Sequence, residues 1–323
     1  MRFTTLATAT AALALVCNGT ALAQDYPNRP LRLIAPFPPG GGVDFLARIF
    51  GQQMTESWGQ QVVIDNRSGG SGIIGMEIAA RAAPDGYTIL MSEIGTLSIN
   101  PSVFSRLSYD SLRDFQPVTK VGDIPLTCAV HPSLRITTLQ DFVAAAKAKP
   151  GELRFASAGN GSMLHLATEL FAKRAGIKLT HVPYKGGSLG LNALLSNEVN
   201  LLCMTTSSLL PHLQQGRINA LAISTAQRSQ SLPDLRTIAE QGYAGYDTAQ
   251  WVGLLVPKAT PKSIVTKLHA ESVRILALPD VRDRLKTAGV EAVGNTPDAF
   301  AAQIRADTEK YGKLAAELGI RLD

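Results

Sequence analysis

The sequence predicts an α/β fold of two lobes with a cleft between them, and three observations carry that prediction. Short β-rich apolar runs alternate with helical patterns along most of the 323 residues, which is the signature of parallel strands joined by helical crossovers. Glycine-rich turns follow several of those strands, where open α/β sheets hold ligands. The first lobe shows only three strands before a second series begins, so the C-terminal part is expected to return and complete it.

The first series is Leu31–Ala35 then helix Val43–Trp58, Val62–Asp65 then helix Ile73–Ala83, and Thr88–Ser92 with no long helix after it. A polar, turn-rich passage from Asn100 to Asp114 separates it from the second. There the pattern reads strand Pro125–Val130, helix Leu139–Ala148, strand Leu153–Ala156, helix Met163–Ala175, strand Leu179–Val182, helix Leu189–Ser196 and strand Asn200–Met204. Strands Ala220–Ser224 and Trp251–Val256 follow, then amphipathic helices Lys262–Ala277 and Pro297–Leu318. This divides the chain into lobe 1, residues 24–121 with 226–323, and lobe 2, residues 122–225.

Residues 1–23 read as a secretory signal peptide: Arg2 supplies the positive start, Leu6 to Val16 the apolar core, and Ala21-Leu22-Ala23 the cleavage site. Val16 before Cys17 is too large for a lipid-attachment signal. No later apolar run reaches the ~18 residues of a membrane span, so the mature chain is expected to be soluble, exported and monomeric. The net charge of +5 is spread along the sequence without basic runs interleaved with aromatics, which argues against nucleic acid and suits a small anion. Cys128 and Cys203 lie in apolar strand surroundings; export permits a disulfide, but buried free thiols are the slightly favoured reading.

Three loops are candidate ligand seats. In Phe37-Pro38-Pro39-Gly40-Gly41-Gly42 a strand passes through glycines into a helix, exposing main-chain N–H groups to an anion. Ser157-Ala158-Gly159-Asn160-Gly161-Ser162 repeats that arrangement, with Ser157 or Ser162 also suited to capping the following helix. Tyr184, Lys185 and Gly186 in the third loop add an aromatic wall and a cation. Glycines 70, 72 and 75 match a dinucleotide fingerprint formally, but four residues separate them from the strand, and no cofactor is expected.

Catalytic patterns are sparse. Ser162 and His165 share a helical face without a nucleophile elbow, leaving an exported serine hydrolase as a minor alternative. The five histidines show no metal-ligand spacing, and neither CxxC nor HExxH occurs.

The motifs PFPPGGGVDFLAR, DNRSGGSGIIG, PDGYTILM, Asn100-Pro101, HPSL, GNGSMLHLATELF, VPYKGG, LPDLRTIAEQGY and Trp251-Val252-Gly253 resemble the Bug receptors, the extracytoplasmic receptors of tripartite tricarboxylate transporters. The resemblance runs from about Tyr26 to the C-terminus. It implies a type II periplasmic-binding-protein fold that closes on a small organic acid and hands it to membrane transporter subunits, with a sensor for a membrane signalling partner as an alternative. It further implies that the loops at Phe37–Gly42 and Ser157–Ser162 hold a carboxylate and that the Tyr184 loop lines the second lobe; His165, Glu93 and Thr205 join these loops as candidate ligand contacts. Two positions depart from the family pattern: Glu93 stands where a small or hydroxylated residue is usual, and Thr205 where an acid often follows the strand.

Overall fold

The computed structural model describes residues 26–322. The expected signal peptide lies outside the described residues. β1 (Leu31–Ala35) leads through the first glycine turn into α1 (Gly42–Trp58), followed by β2 (Val62–Asn66), α2 (Ile73–Ala80) and β3 (Thr88–Glu93). β2, β1 and β3 lie side by side and parallel, so their carboxyl ends emerge on one edge. Helix α1 forms because Val43, Leu46, Ala47, Ile49, Phe50 and Met54 repeat at helical spacing, and all are buried beneath it. Each of these side chains larger than alanine contributes about 1.5–3 kcal/mol on removal from water.

After the short α3 (Asn100–Val103), β4 runs for 16 residues from Phe115 to Val130 and takes part in two sheets. Its first part, Phe115 to Pro125, pairs antiparallel with β9 (Ala249–Pro257), which in turn pairs with β3. Beyond Leu126 it enters the second sheet. The chain around that sheet runs through α4 (Leu139–Ala148), β5 (Arg154–Ser157), α5 (Met163–Ala175), β6 (Thr180–Pro183), α6 (Gly187–Leu195), β7 (Leu201–Thr205), α7 (Thr206–Gln214) and β8 (Asn219–Ile223). β6, β5 and β7 are parallel, while β4 lies antiparallel between β7 and β8.

The chain then returns along β9 to α8 (Lys262–Ala277), α9 (Pro279–Thr287), β10 (Glu291–Ala292) and α10 (Pro297–Glu317). β10 pairs with β4 at Gly122 and Asp123. Phe300, Ile304, Tyr311 and Leu314 of α10 pack into one core with Leu90, Leu97 and Trp251, and the Trp251 indole donates to Asp307 Oδ2 at 2.8 Å. The molecule is therefore two α/β lobes, each with apolar clusters on both faces of its sheet. Among the described residues no helix is long and apolar enough to cross a membrane.

The free-thiol expectation is corrected here: Cys128 and Cys203 form a disulfide. They are directly opposite one another in the β4–β7 register with Cα atoms 3.9 Å apart, a proximity that strand composition alone does not reveal.

Candidate functional site

A cleft of about 270 Å³ opens where the two lobes face each other. From the first lobe it receives Phe37 after β1, Ser71 after β2, Glu93 at the end of β3, and Gly95, Thr96, Ile99 and Asn100 from the turns that follow. From the second come Ala158, Asn160, Gly161, Ser162 and Met163, between β5 and the first turn of α5; Leu322 closes one side. These are carboxyl ends of parallel strands, where such sheets place ligands. A wider hollow of about 460 Å³ between Lys258 and Asp298 belongs to one lobe only and has no such convergence.

The second loop is held in shape by its own side chains. Gly159 and Gly161 adopt φ of +124° and +71°, a region unfavourable to residues with a Cβ. Ser157 Oγ accepts from the Gly159 amide at 3.1 Å and shares a 2.6 Å hydrogen bond with His181 Nε2. Ser162 is the N-cap of α5, its hydroxyl accepting from the His165 amide at 3.3 Å. The first turn of α5 therefore borders the cleft at Ser162 and Met163, next to Asn160, and a helix N-terminus favours an anion there.

His165 does not serve Ser162 as a base. Its Nδ1 accepts from the Gly161 amide at 3.2 Å, its Nε2 faces Glu169 at 3.8 Å, and its ring stacks on His181 with centroids 3.7 Å apart. Burial pushes both imidazoles down to about 4, with His181 adding to the effect on His165, so both are neutral at pH 7. They are supports beneath the loop.

The opposing wall is knitted by polar bonds. Asn100 Nδ2 donates to the Ser71 carbonyl at 3.0 Å, Tyr109 donates its hydroxyl to the Thr96 carbonyl, and Thr96 Oγ1 donates to the Glu93 carbonyl at 2.9 Å. Glu93 itself is half-buried and accepts from Gln250 Nε2. Burial raises its carboxyl pKa, an effect only partly opposed by the Gln250 hydrogen bond.

Of the residues singled out in the sequence, Phe37, Glu93, Ala158, Asn160, Gly161 and Ser162 line this cleft. Ser157, Gly159 and His165 stand behind it as described. Pro39, Gly40 and Gly41 lie off the lining, and the Gly40 amide is engaged by Asp44 Oδ2 at 2.9 Å. Tyr184, Lys185 and Gly186 also lie off it, although the Tyr184 amide donates to the Ser157 carbonyl at 3.2 Å and so braces the second loop. Thr205 shares a 2.8 Å hydroxyl contact with Ser208 at the start of α7. Sequence reasoning missed Ser71, Gly95, Thr96, Ile99, Asn100, Met163 and Leu322. The Asn100-Pro101 step and the SGGSG run were visible signals for two of them.

Two lobes joined by long strands, with a polar cleft at converging strand ends, define the class of periplasmic solute-binding receptors. Within that class the chain belongs to the tripartite tricarboxylate transporter family receptors, whose family model matches residues 46–320. It is 39% identical to a UPF0065 protein in the tcbD-tcbE intergenic region of Pseudomonas sp., over 95% of this chain and 92% of that one. It is 35% identical to Protein BugT of Bordetella pertussis, over 93% and 92%. Among solved structures, an R. palustris protein with adipate shares 36% identity and a TM-score of 0.79, covering 92% of this chain and 99% of that one. MatC from Rhodopseudomonas palustris with bound malate gives 29% and 0.74, covering 90% and 99%. The protein is accordingly a binding receptor, not an enzyme.

Proposed function

We propose that this receptor captures a small organic carboxylate between lobe 1, residues 24–121 with 226–323, and lobe 2, residues 122–225, and delivers it to the membrane subunits of a tripartite tricarboxylate-type transporter. The observation that carries the reading is the facing of two polar walls across one cleft: the α5 N-terminus with Asn160 and Ser162 on one side, Ser71, Thr96 and Asn100 on the other. Main-chain amides, hydroxyls and side-chain amides hold a carboxylate without a fixed cation, as helix N-termini do elsewhere. The adipate and malate seen in two related structures support the same ligand class.

Export would follow from the leader ending near Ala23, and the monomer would present both lobes to the transporter. Native mass spectrometry of the protein as purified tests the ligand class. A co-isolated small acid, released on denaturation, is expected; a co-isolated sugar or purely cationic molecule would refute the reading.

A further inference from the structure

Glu93 is the single charged side chain among the described residues that line the cleft. Its two oxygens are not equivalent. Oε2 accepts from Gln250, whereas Oε1 has no hydrogen-bond partner among the described residues and sits over Gly95, where an added Cβ would lie 2.9 Å away. Gly95 thus leaves room on the side of the free oxygen. The rest of the lining, from Phe37, Ser71 and the turn at residues 95–100 to the second loop, Met163 and Leu322, brings no cation to balance the carboxylate.

Other ionisable groups near this end are already engaged. Behind Ile94 and Trp251, Lys120 pairs with Asp123 at 2.8 Å and Lys310 with Asp307 at 2.8 Å, while Asp247 accepts from the Ala226 amide. His165 and His181 lie behind the second loop and stay neutral down to about pH 4. A half-buried carboxylate with one unused oxygen, facing a cleft of uncharged donors, repels a second carboxylate at its own end and attracts a positive charge there.

We infer that Glu93 is a specificity residue that receives a protonated amine, so that the preferred ligand is an aminocarboxylate: its carboxylate on the uncharged donors, its ammonium on Glu93 Oε1. This rests on the proposed receptor function and narrows its ligand class. The carboxylate must be ionised to do this, so acidification weakens the interaction.

The test is calorimetric titration of wild type and Glu93→Gln with four- to six-carbon dicarboxylates, and with α- and ω-amino acids of the same lengths, between pH 5 and 8. Circular dichroism checks that the isosteric variant is folded, and Glu93→Ser is carried in parallel. The expected result is at least a tenfold preference of wild type for one or more aminocarboxylates over the matched dicarboxylate at pH 7.5. That preference should be lost or reversed in both variants, and wild-type affinity for the amine should fall toward pH 5 while that of Glu93→Gln stays flat. Tight dicarboxylate binding by wild type, or an unchanged preference in the variants, would overturn the inference and leave the receptor function standing. Failure of wild type to bind any carboxylate would overturn both.

Discussion

The backbone amide of Gly40 donates to the side chain of Asp44, one helical turn away, at 2.9 Å. The first glycine turn thus offers an N–H group to an anion, but the anion is the chain's own buried carboxylate. Asp44 also accepts from Arg48 Nε at 2.9 Å and from Asn66 Nδ2 at 3.0 Å, which ties the turn to the end of β2. Burial pushes its carboxyl up, yet the bonds from Arg48, Gly40 and Asn66 outweigh that and hold it below its ordinary value.

Asp44→Ala should therefore destabilise the fold by about 2 kcal/mol, the cost of unmaking a buried, charge-assisted network whose arginine remains partly solvated. Because the folded value is depressed, the contribution is present above the unfolded value and lost as pH falls through the folded one. Urea titrations of both proteins at pH 7 and pH 3 measure this. The gap should shrink at the lower pH, and an equal gap at both would contradict the assignment.

The stacked histidines give a second pH dependence in a different window. Unfolded imidazoles take up protons near pH 6.5, whereas His165 and His181 resist until about 4. Between those values the unfolded state binds more protons, so stability falls as pH drops from 6.5 toward 4. His181→Asn should flatten the melting temperature against pH across that window; an identical profile would show that the pair does not titrate this way.

The Cys128–Cys203 bridge closes a sequence separation of 75 residues and joins β4 to β7 inside the second lobe. By loop-closure entropy it stabilises the fold by about 4 kcal/mol, an upper figure for the loss in a Cys128→Ala/Cys203→Ala variant. Alkylation of the denatured, unreduced mature protein should find no free thiol. Two alkylated cysteines would contradict the bridge.

Much of the architecture was legible because hydrophobic period and turn chemistry agree along β1 to β3 and along α4 to β7. The front half of β4 was not. Its register shifts between Pro117 and Thr119 and between Lys120 and Gly122, and Gln116, Lys120 and Asp123 interrupt the apolar pattern, so only Pro125–Val130 was expected as strand. Helix α7 was missed for another reason: Thr206, Ser207, Ser208 and Pro211 are poor helix formers, held by packing of Leu209.

In the site, the second glycine loop announced itself because strand, glycines and cap residue occur together in sequence. Thr96 and Asn100 did not, because they reach the cleft through a wide helical turn at Gly95–Ile99 that no local pattern marks. Gly40 was read as open to ligand because its local partner, Asp44, also fits the ordinary role of an acid in a helix's first turn.

The central claim is that the cleft between Asn160 and Asn100 is where a small carboxylate binds. Asn160 is exposed, so Asn160→Trp fills the opening without disturbing either core. Calorimetric titration of wild type and this variant with a panel of four- to six-carbon organic acids is the most direct measurement. Binding by wild type to at least one acid, with a loss of a hundredfold or more in a variant that melts at the same temperature, is the predicted result. Equal affinity in the two proteins would contradict it.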